Sequence, residues 1–294
     1  MRTTALTPAR PAATDFLELT KPRLTFFVLI VVALSAWLAV GAAADWQAVF
    51  HAVLGTGLVA GGASALNMLV ERRLDARMPR TWGRPLPSGR LRPHEVAFFG
   101  LLLIVGGLAH LYLLTTPLAA GLAALTAFAY LALYTPLKRI TPLNTQIGAV
   151  PGALPALVGW AAVRGSLEPG AWGLFLIVYL WQLPHFLSIA WIYREDYERG
   201  GFRMLPSIDR EGVVTGRQAV LGAMILIPVS LLPAMTGVSG GIYFFGAVVL
   251  GCYFVRHAAR FALRRTEDRA RRLMLASLVY LPLLLALMFF DRVV

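Results

Sequence analysis

Asn67, Glu71 and Asp75 recur at four-residue intervals near the end of a long apolar run, in Asn67-Met-Leu-Val-Glu71-Arg-Arg-Leu-Asp75. On a helix that spacing lines one amide and two carboxylates along a single face. Glu71 and Asp75 are then about 6 Å apart along the axis, at about 1.5 Å per residue. Such a pair suits Mg2+, which prefers hard oxygen ligands, keeps several waters and takes one or two carboxylates plus phosphate oxygens. Asn67, one turn deeper, can add an oxygen or orient a ligand. The same stretch supplies Arg72, Arg73, Arg77, Arg80 and Arg84, cations able to receive a diphosphate and stabilise charge on a leaving group. Together they imply diphosphate chemistry on a lipid-like substrate at a membrane surface. The spacing alone fits an ordinary charged helix end equally well, with Glu71 or Asp75 paired to Arg72 within the helix.

A second polar segment repeats the combination. Pro184-His185-Phe186 is followed by Tyr193-Arg194-Glu195-Asp196-Tyr197-Glu198-Arg199-Gly-Gly, again setting carboxylates beside arginines where an apolar run ends. Two such segments on one side of a membrane can face each other across a shared cavity. Lys138 follows another apolar run on that side; it is a diphosphate candidate and equally a positive-inside anchor. His185, about two turns inside its run, is an ionisable residue in a span and so a functional candidate. A histidine there also serves simply as an interhelical hydrogen-bond partner. None of the five histidines has metal-motif spacing with another. No Ser-His or Cys-His arrangement is evident.

The elements that must position these groups are membrane spans. The chain has 294 residues, 58% hydrophobic and only 14% charged, with a mean hydropathy of +0.68. A soluble domain would carry about 25% charged residues. The net charge of +12 does not indicate nucleic acid, because the arginines lie between apolar blocks. Cys252 is the only cysteine, so no intrachain disulfide exists and no redox compartment can be read from it. Residues 1–23 lack the basic-then-apolar pattern of a cleaved signal and read as a cytoplasmic tail.

Nine segments are long enough to span, at about 20 apolar residues each: 24–43, 47–69, 94–114, 117–136, 142–163, 170–191, 216–236, 238–257 and 272–291. Residues 24–294 then form a single all-α transmembrane domain with long polar loops at 70–93 and 192–215, and an Arg-rich connection at 258–271. Of the 27 Lys and Arg, 25 fall on the side of the tail and both long loops; only Arg164 and Arg292 fall on the other. That asymmetry places the N-terminus and both loops in the cytoplasm and the C-terminus outside. Trp160 and Phe186 are candidates for lining an apolar channel.

These residues resemble the UbiA-type intramembrane prenyltransferases, and within them the branch that farnesylates haem. The resemblance covers nearly the whole chain. It rests on Leu19-Thr-Lys-Pro-Arg23, Asn67 to Asp75, Met78-Pro-Arg80-Thr81 with Arg84-Pro85-Leu86, Tyr134-Thr-Pro-Leu-Lys138-Arg139, Gly148 to Trp160, Pro184-His185-Phe186, and Arg194-Glu195-Asp196-Tyr197 with Met204-Leu-Pro206. Many family members carry Asp where this chain has Glu71, and another Asp where it has Arg73.

The resemblance implies a bundle of about nine helices in the inner (cytoplasmic) membrane of a bacterium. It implies transfer of farnesyl from farnesyl diphosphate to a vinyl group of haem b, with Mg2+ and addition of water. The product would serve haem-copper oxidase assembly through a downstream haem A synthase or assembly factors. By the same resemblance Asn67, Glu71, Asp75 and Asp196 are the catalytic set, with Glu71, Asp75 and Asp196 on metal. Arg72, Arg80, Arg84, Lys138 and Arg194 take the diphosphate, and His185 contacts haem. The alternatives are the same fold acting on a quinone precursor or another tetrapyrrole, and an anionic-lipid transporter. Transporters often show two related halves with helices broken at mid-membrane, whereas these clusters lie at one surface.

Overall fold

A computed structural model describes residues 12–40 and 46–293. Arg2, Arg10 and residues 41–43, assigned above to the tail and the first span, lie outside the described residues. In chain order the helices are α1 (Ala12–Leu19), α2 (Pro22–Val40), α3 (Trp46–Asp75), α4 (Pro93–Leu114), α5 (Pro117–Phe128), α6 (Thr135–Leu137), α7 (Asn144–Arg164), α8 (Pro169–Ile192), α9 (Arg194–Arg199), α10 (Leu205–Ile208), α11 (Val213–Ser230), α12 (Leu232–Met235), α13 (Gly241–Leu263) and α14 (Glu267–Phe290). A π-helical turn, Ala129–Tyr134, joins α5 to α6. Among the described residues nine helical stretches are long and apolar enough to cross a membrane, counting Pro117–Leu137 and Val213–Met235 as one each.

Local chemistry starts these helices cleanly. Pro22, Pro93, Pro117 and Pro169 open α2, α4, α5 and α8, where a missing N–H costs nothing. Thr116 and Thr266 cap α5 and α14 by accepting from the backbone N–H of Ala119 and Arg269. The helices outrun the apolar segments that announced them. The segment 258–271, expected as a connection, is almost entirely helical, leaving 264–266 between α13 and α14. The Arg271–Glu267 and Arg272–Asp268 pairs, each four residues apart, hold that charged first turn in helix. Likewise α3 continues to Asp75, so Glu71 and Asp75 ride on the same rigid element as Asn67. The seventh span breaks at Leu231, between Pro228 and Pro233.

The spans form a closed bundle. Helices α3 and α4 approach closely through glycines: a Cβ on Gly62 would lie 2.5 Å from the Gly100 carbonyl oxygen, and one on Gly107 would lie 2.8 Å from the Gly55 carbonyl oxygen. Small residues at such a seam let the backbones meet. The largest core joins α7, α8, α11, α13 and α14, with Tyr243, Phe254, Phe261 and Tyr280 fully buried. Among the described residues strand pairing is limited to one bridge, Ser239 to Arg292. It belongs to the end of the bundle where Trp37 stacks on Phe289 at 4.3 Å. Arg164 shares that end: burial first, and then the nearby Arg164, push the Arg292 guanidinium below its ordinary value. The two cations set apart by the sequence therefore lie together, opposite both long polar loops.

Candidate active site

Asn67, Glu71 and Asp75 do line one face of α3, and that face is turned inward: the three are 1, 6 and 1% exposed. They border a cavity of about 110 Å³ together with Lys21, Met78, Arg80, Thr81, Arg84, Tyr134, Lys138, Tyr197, Phe202 and Met204. That volume holds several waters.

The carboxylates are not paired along their own helix. Glu71 accepts from Lys138 at 2.9 Å, and Asp75 accepts from Arg84 at 2.8 Å. Thr81 donates to the Asp75 carbonyl at 2.8 Å, folding the first loop back onto the end of α3. Asn67 is held from three other segments. Its Oδ1 accepts from Lys21 Nζ at 2.9 Å and from the Tyr130 hydroxyl at 3.1 Å, and its Nδ2 donates to Thr135 at 3.1 Å.

Each partner has a structural reason to be there. Lys21 sits between α1 and α2 with φ 49, a left-handed conformation uncommon outside glycine. It is held in place because Asp15 and Glu18 of α1 both bind Arg90 of the first loop, at 2.8 and 3.3 Å. The π-helical turn brings Tyr130 and Tyr134 to the same side, their rings 5.9 Å apart. Lys138 follows directly, with Nζ 4.5 Å from the Tyr134 ring centre. Burial alone would lower the Lys138 pKa. The Tyr134 ring and the Glu71 carboxylate reverse that, and the ammonium is held above the ordinary lysine value.

The second loop reaches the cavity through packing rather than charge. Met78 of the first loop forms one apolar cluster with Ala190, Phe202 and Met204. The Gly200-Gly201 pair, with Gly201 at φ 74, turns the chain after α9. Phe202 N–H then returns to the Tyr197 carbonyl at 2.9 Å, and Arg203 N–H binds the Lys138 carbonyl at 2.8 Å. Arg80 lies over the rings of Tyr193 and Tyr197, at 5.0 and 5.5 Å.

Of the residues singled out in sequence, the structure thus gathers Asn67, Glu71, Asp75, Arg80, Arg84 and Lys138 around one space. The others lie outside its lining. Arg72 donates to the Leu69 carbonyl, Arg194 lies over Trp191 at 4.9 Å, and Asp196 pairs with Arg199 at 3.3 Å. His185 faces α14 within the bundle, bonded to Ser277. Trp160 packs at the far end, beside Gly170 and Val238. Lys21, Tyr130, Tyr134, Tyr197 and Phe202 were not singled out as site residues. The sequence signal for Lys21 was a lone cation before Pro22, a position where proline restricts the backbone.

Among the described residues no three His, Cys, Asp or Glu side chains converge. The metal-capable set is therefore Glu71 and Asp75 with the Asn67 amide. Hard oxygens on one rigid face, buried beside cations, fit Mg2+, which needs only one or two carboxylates when phosphate completes its shell.

Comparison with known proteins shows the family and the fold. The UbiA prenyltransferase family is matched over residues 28–286. A protoheme IX farnesyltransferase of Solibacter usitatus is 45% identical, the match covering 95% of this chain and 98% of the relative. Another, of Koribacter versatilis, is 43% identical over 95% of this chain and 94% of its own length. A solved digeranylgeranylglyceryl phosphate synthase superposes with a TM-score of 0.79 at 18% identity, covering 95% of this chain and 98% of that one. A UbiA homolog from Archaeoglobus fulgidus, bound to GPP and Mg2+, gives a TM-score of 0.64 at 13% identity, covering 94% of this chain and 99% of that one.

Proposed function

We propose, from the premise that this chain belongs to the UbiA prenyltransferase family, that it transfers farnesyl from farnesyl diphosphate to a vinyl group of haem b, with addition of water. The chain is an integral membrane prenyltransferase. The observation that carries the reading is the pairing inside the cavity: each α3 carboxylate is stored against a cation that a diphosphate would also bind.

Arg80, Arg84 and Lys138 receive the diphosphate. Arg80 is available for this, having no carboxylate partner among the described residues. As Arg84 and Lys138 turn to phosphate, Asp75 and Glu71 are released toward a metal, and Asn67 stays fixed by Lys21, Tyr130 and Thr135. Mg2+ held by Glu71, Asp75 and Asn67 would supply positive charge to the departing diphosphate. The cations stabilise negative charge as the C–O bond to the prenyl carbon breaks. The rings of Tyr134, Tyr197 and Phe202 wall the same cavity and offer π-faces to the allylic cation that forms. The vinyl terminal carbon then bonds to that cation, and water captures the charge left beside the tetrapyrrole ring, losing one proton to solvent to leave a hydroxyl. The protein's tasks are positioning and exclusion of stray water.

Asp196 is assigned to a second metal, reached by exchanging Arg199; it immediately precedes the cavity-lining Tyr197. Arg72 and Arg194 act as outer attractors for the anion, and His185 contacts the tetrapyrrole. The cavity faces the cytoplasm and the C-terminus lies outside, in the bacterial inner membrane; residues 24–294 act as one domain, and the product passes to oxidase assembly. The test is incubation of the purified protein with haem b, farnesyl diphosphate and Mg2+, followed by mass spectrometry. A mass gain of one farnesyl and one hydroxyl group is expected. Transfer to a hydroxybenzoate with none to haem would overturn the reading.

A further inference from the structure

His185 lies outside the cavity, on α8, and its ring is fixed from three directions. Ser277 on α14 has its hydroxyl oxygen 2.7 Å from Nδ1. Trp181 lies flat against the imidazole, with centroids 4.9 Å apart and planes at 16°, and its indole N–H donates to the Ser277 carbonyl at 2.8 Å. Phe186 meets the ring edge-on at 5.3 Å and 62°.

Ser277 decides the tautomer. Its one hydroxyl hydrogen is committed to the Met274 carbonyl at 2.5 Å. The oxygen can then meet His185 only as an acceptor, so Nδ1 carries the proton and Nε2 is a bare lone pair. No described residue donates to Nε2, and it is not among the buried polar atoms lacking a partner, so it keeps an accessible face. A bare nitrogen is a poor device for fastening α8 to α14. The Trp181 bond to the Ser277 carbonyl already does that. A neutral imidazole donating from one nitrogen and presenting the other is how proteins prepare histidine to ligate a metal.

We infer that Ser277 is a positioning residue that holds His185 in the Nδ1–H tautomer, so that Nε2 ligates the iron of the tetrapyrrole acceptor. This rests on the haem reading above. Ligation from α8 fixes one face of the macrocycle against the helix whose extension carries Tyr197 and Phe202, while Trp181 keeps the ring from rotating.

The test uses the full-length protein in detergent or nanodiscs, titrated with haem b. Affinity is read from the Soret band, and the ferrous iron–histidine stretch in resonance Raman reports the hydrogen bond at Nδ1. Wild type should show a histidine-ligated spectrum and His185→Ala should lose it. Ser277→Ala removes one oxygen and spares the Trp181 bond, which uses the backbone. It should weaken haem binding by about tenfold or more and shift the stretch, and Ser277→Thr should restore both. If Ser277→Ala aggregates, Ser277→Cys is read in its place, with a smaller shift in the same direction. An unchanged affinity and stretch without the hydroxyl overturns the inference, as does histidine ligation that survives in His185→Ala. Farnesylation of haem by a wild type lacking any histidine signature overturns it alone. A wild type that neither binds nor modifies haem overturns the haem reading as well.

Discussion

Glu71 can be doing either of two things, and one pair of variants separates them. It is 2.9 Å from Lys138, with side-chain exposures of 8 and 14%. At an effective dielectric of about 20 the gross attraction at that distance is about 6 kcal/mol. Most of it offsets desolvation, and breaking such a buried pair from one side costs about 3–5 kcal/mol because the other charge is left alone. Glu71→Gln keeps an acceptor for the ammonium, so its loss of stability should fall at or below the lower end of that range. Its loss of turnover should be about a hundredfold or more, the scale of removing one group that stabilises transition-state charge. The double variant Glu71→Gln/Lys138→Met removes the stranded cation. Lys138→Met alone is the reference, since it removes the same diphosphate contact. If Glu71 is needed for metal, thermal stability in detergent recovers in the double variant while its Mg2+-dependent diphosphate binding falls well below that of Lys138→Met. Equal Mg2+-dependent binding in these two variants would refute the metal assignment and leave Glu71 as the partner of Lys138 alone.

Other outcomes follow from the same geometry. Lys21→Met deprives Asn67 Oδ1 of a charged donor, worth about 1.5–3 kcal/mol, and should lower kcat/KM for the prenyl diphosphate by at least about tenfold without unfolding the protein. Gly62→Ala should destabilise the α3–α4 seam by about 1–3 kcal/mol in a thermal assay. Gly106→Ala, which meets nothing within 4 Å, should be neutral. In a Cys252→Ser background, Arg164→Cys should react with an impermeant maleimide in intact cells and Glu198→Cys only after permeabilisation; the reverse pattern overturns the orientation.

The spans were readable because lipid-length apolar runs alternate with basic loops, and the α3 row because a period of four needs no tertiary knowledge. Helix ends were less readable. Hydropathy falls where lipid ends, but Glu267, Asp268, Arg271 and Arg272 keep the helix going by pairing along it. What completes the row was hidden for another reason. Lys138 lies 67 residues from Glu71, and Lys21 lies 46 from Asn67. The second loop was expected to bring its acids. It brings Tyr197, Phe202 and Met204 instead, since Met78 offers those side chains an apolar surface to join. His51 and His110, without motif spacing, meet nitrogen to nitrogen at 3.1 Å, because α3 and α4 run against each other along the glycine seam.

The π-helical turn has a consequence for how this site can vary. Ala129–Tyr134 accommodates one residue more than an α-helix would. A wide turn absorbs that residue locally, so the helix beyond it keeps its register and Lys138 meets Glu71. Removing the residue would close the turn as ordinary helix and change which side chains inside it face α3. The Tyr130 contact with Asn67 and the Tyr134 contact with Lys138 both leave from the turn itself, so they would not both survive. A chain one residue shorter at this point would keep its spans and loops, yet would lose part of the wall that holds the α3 row.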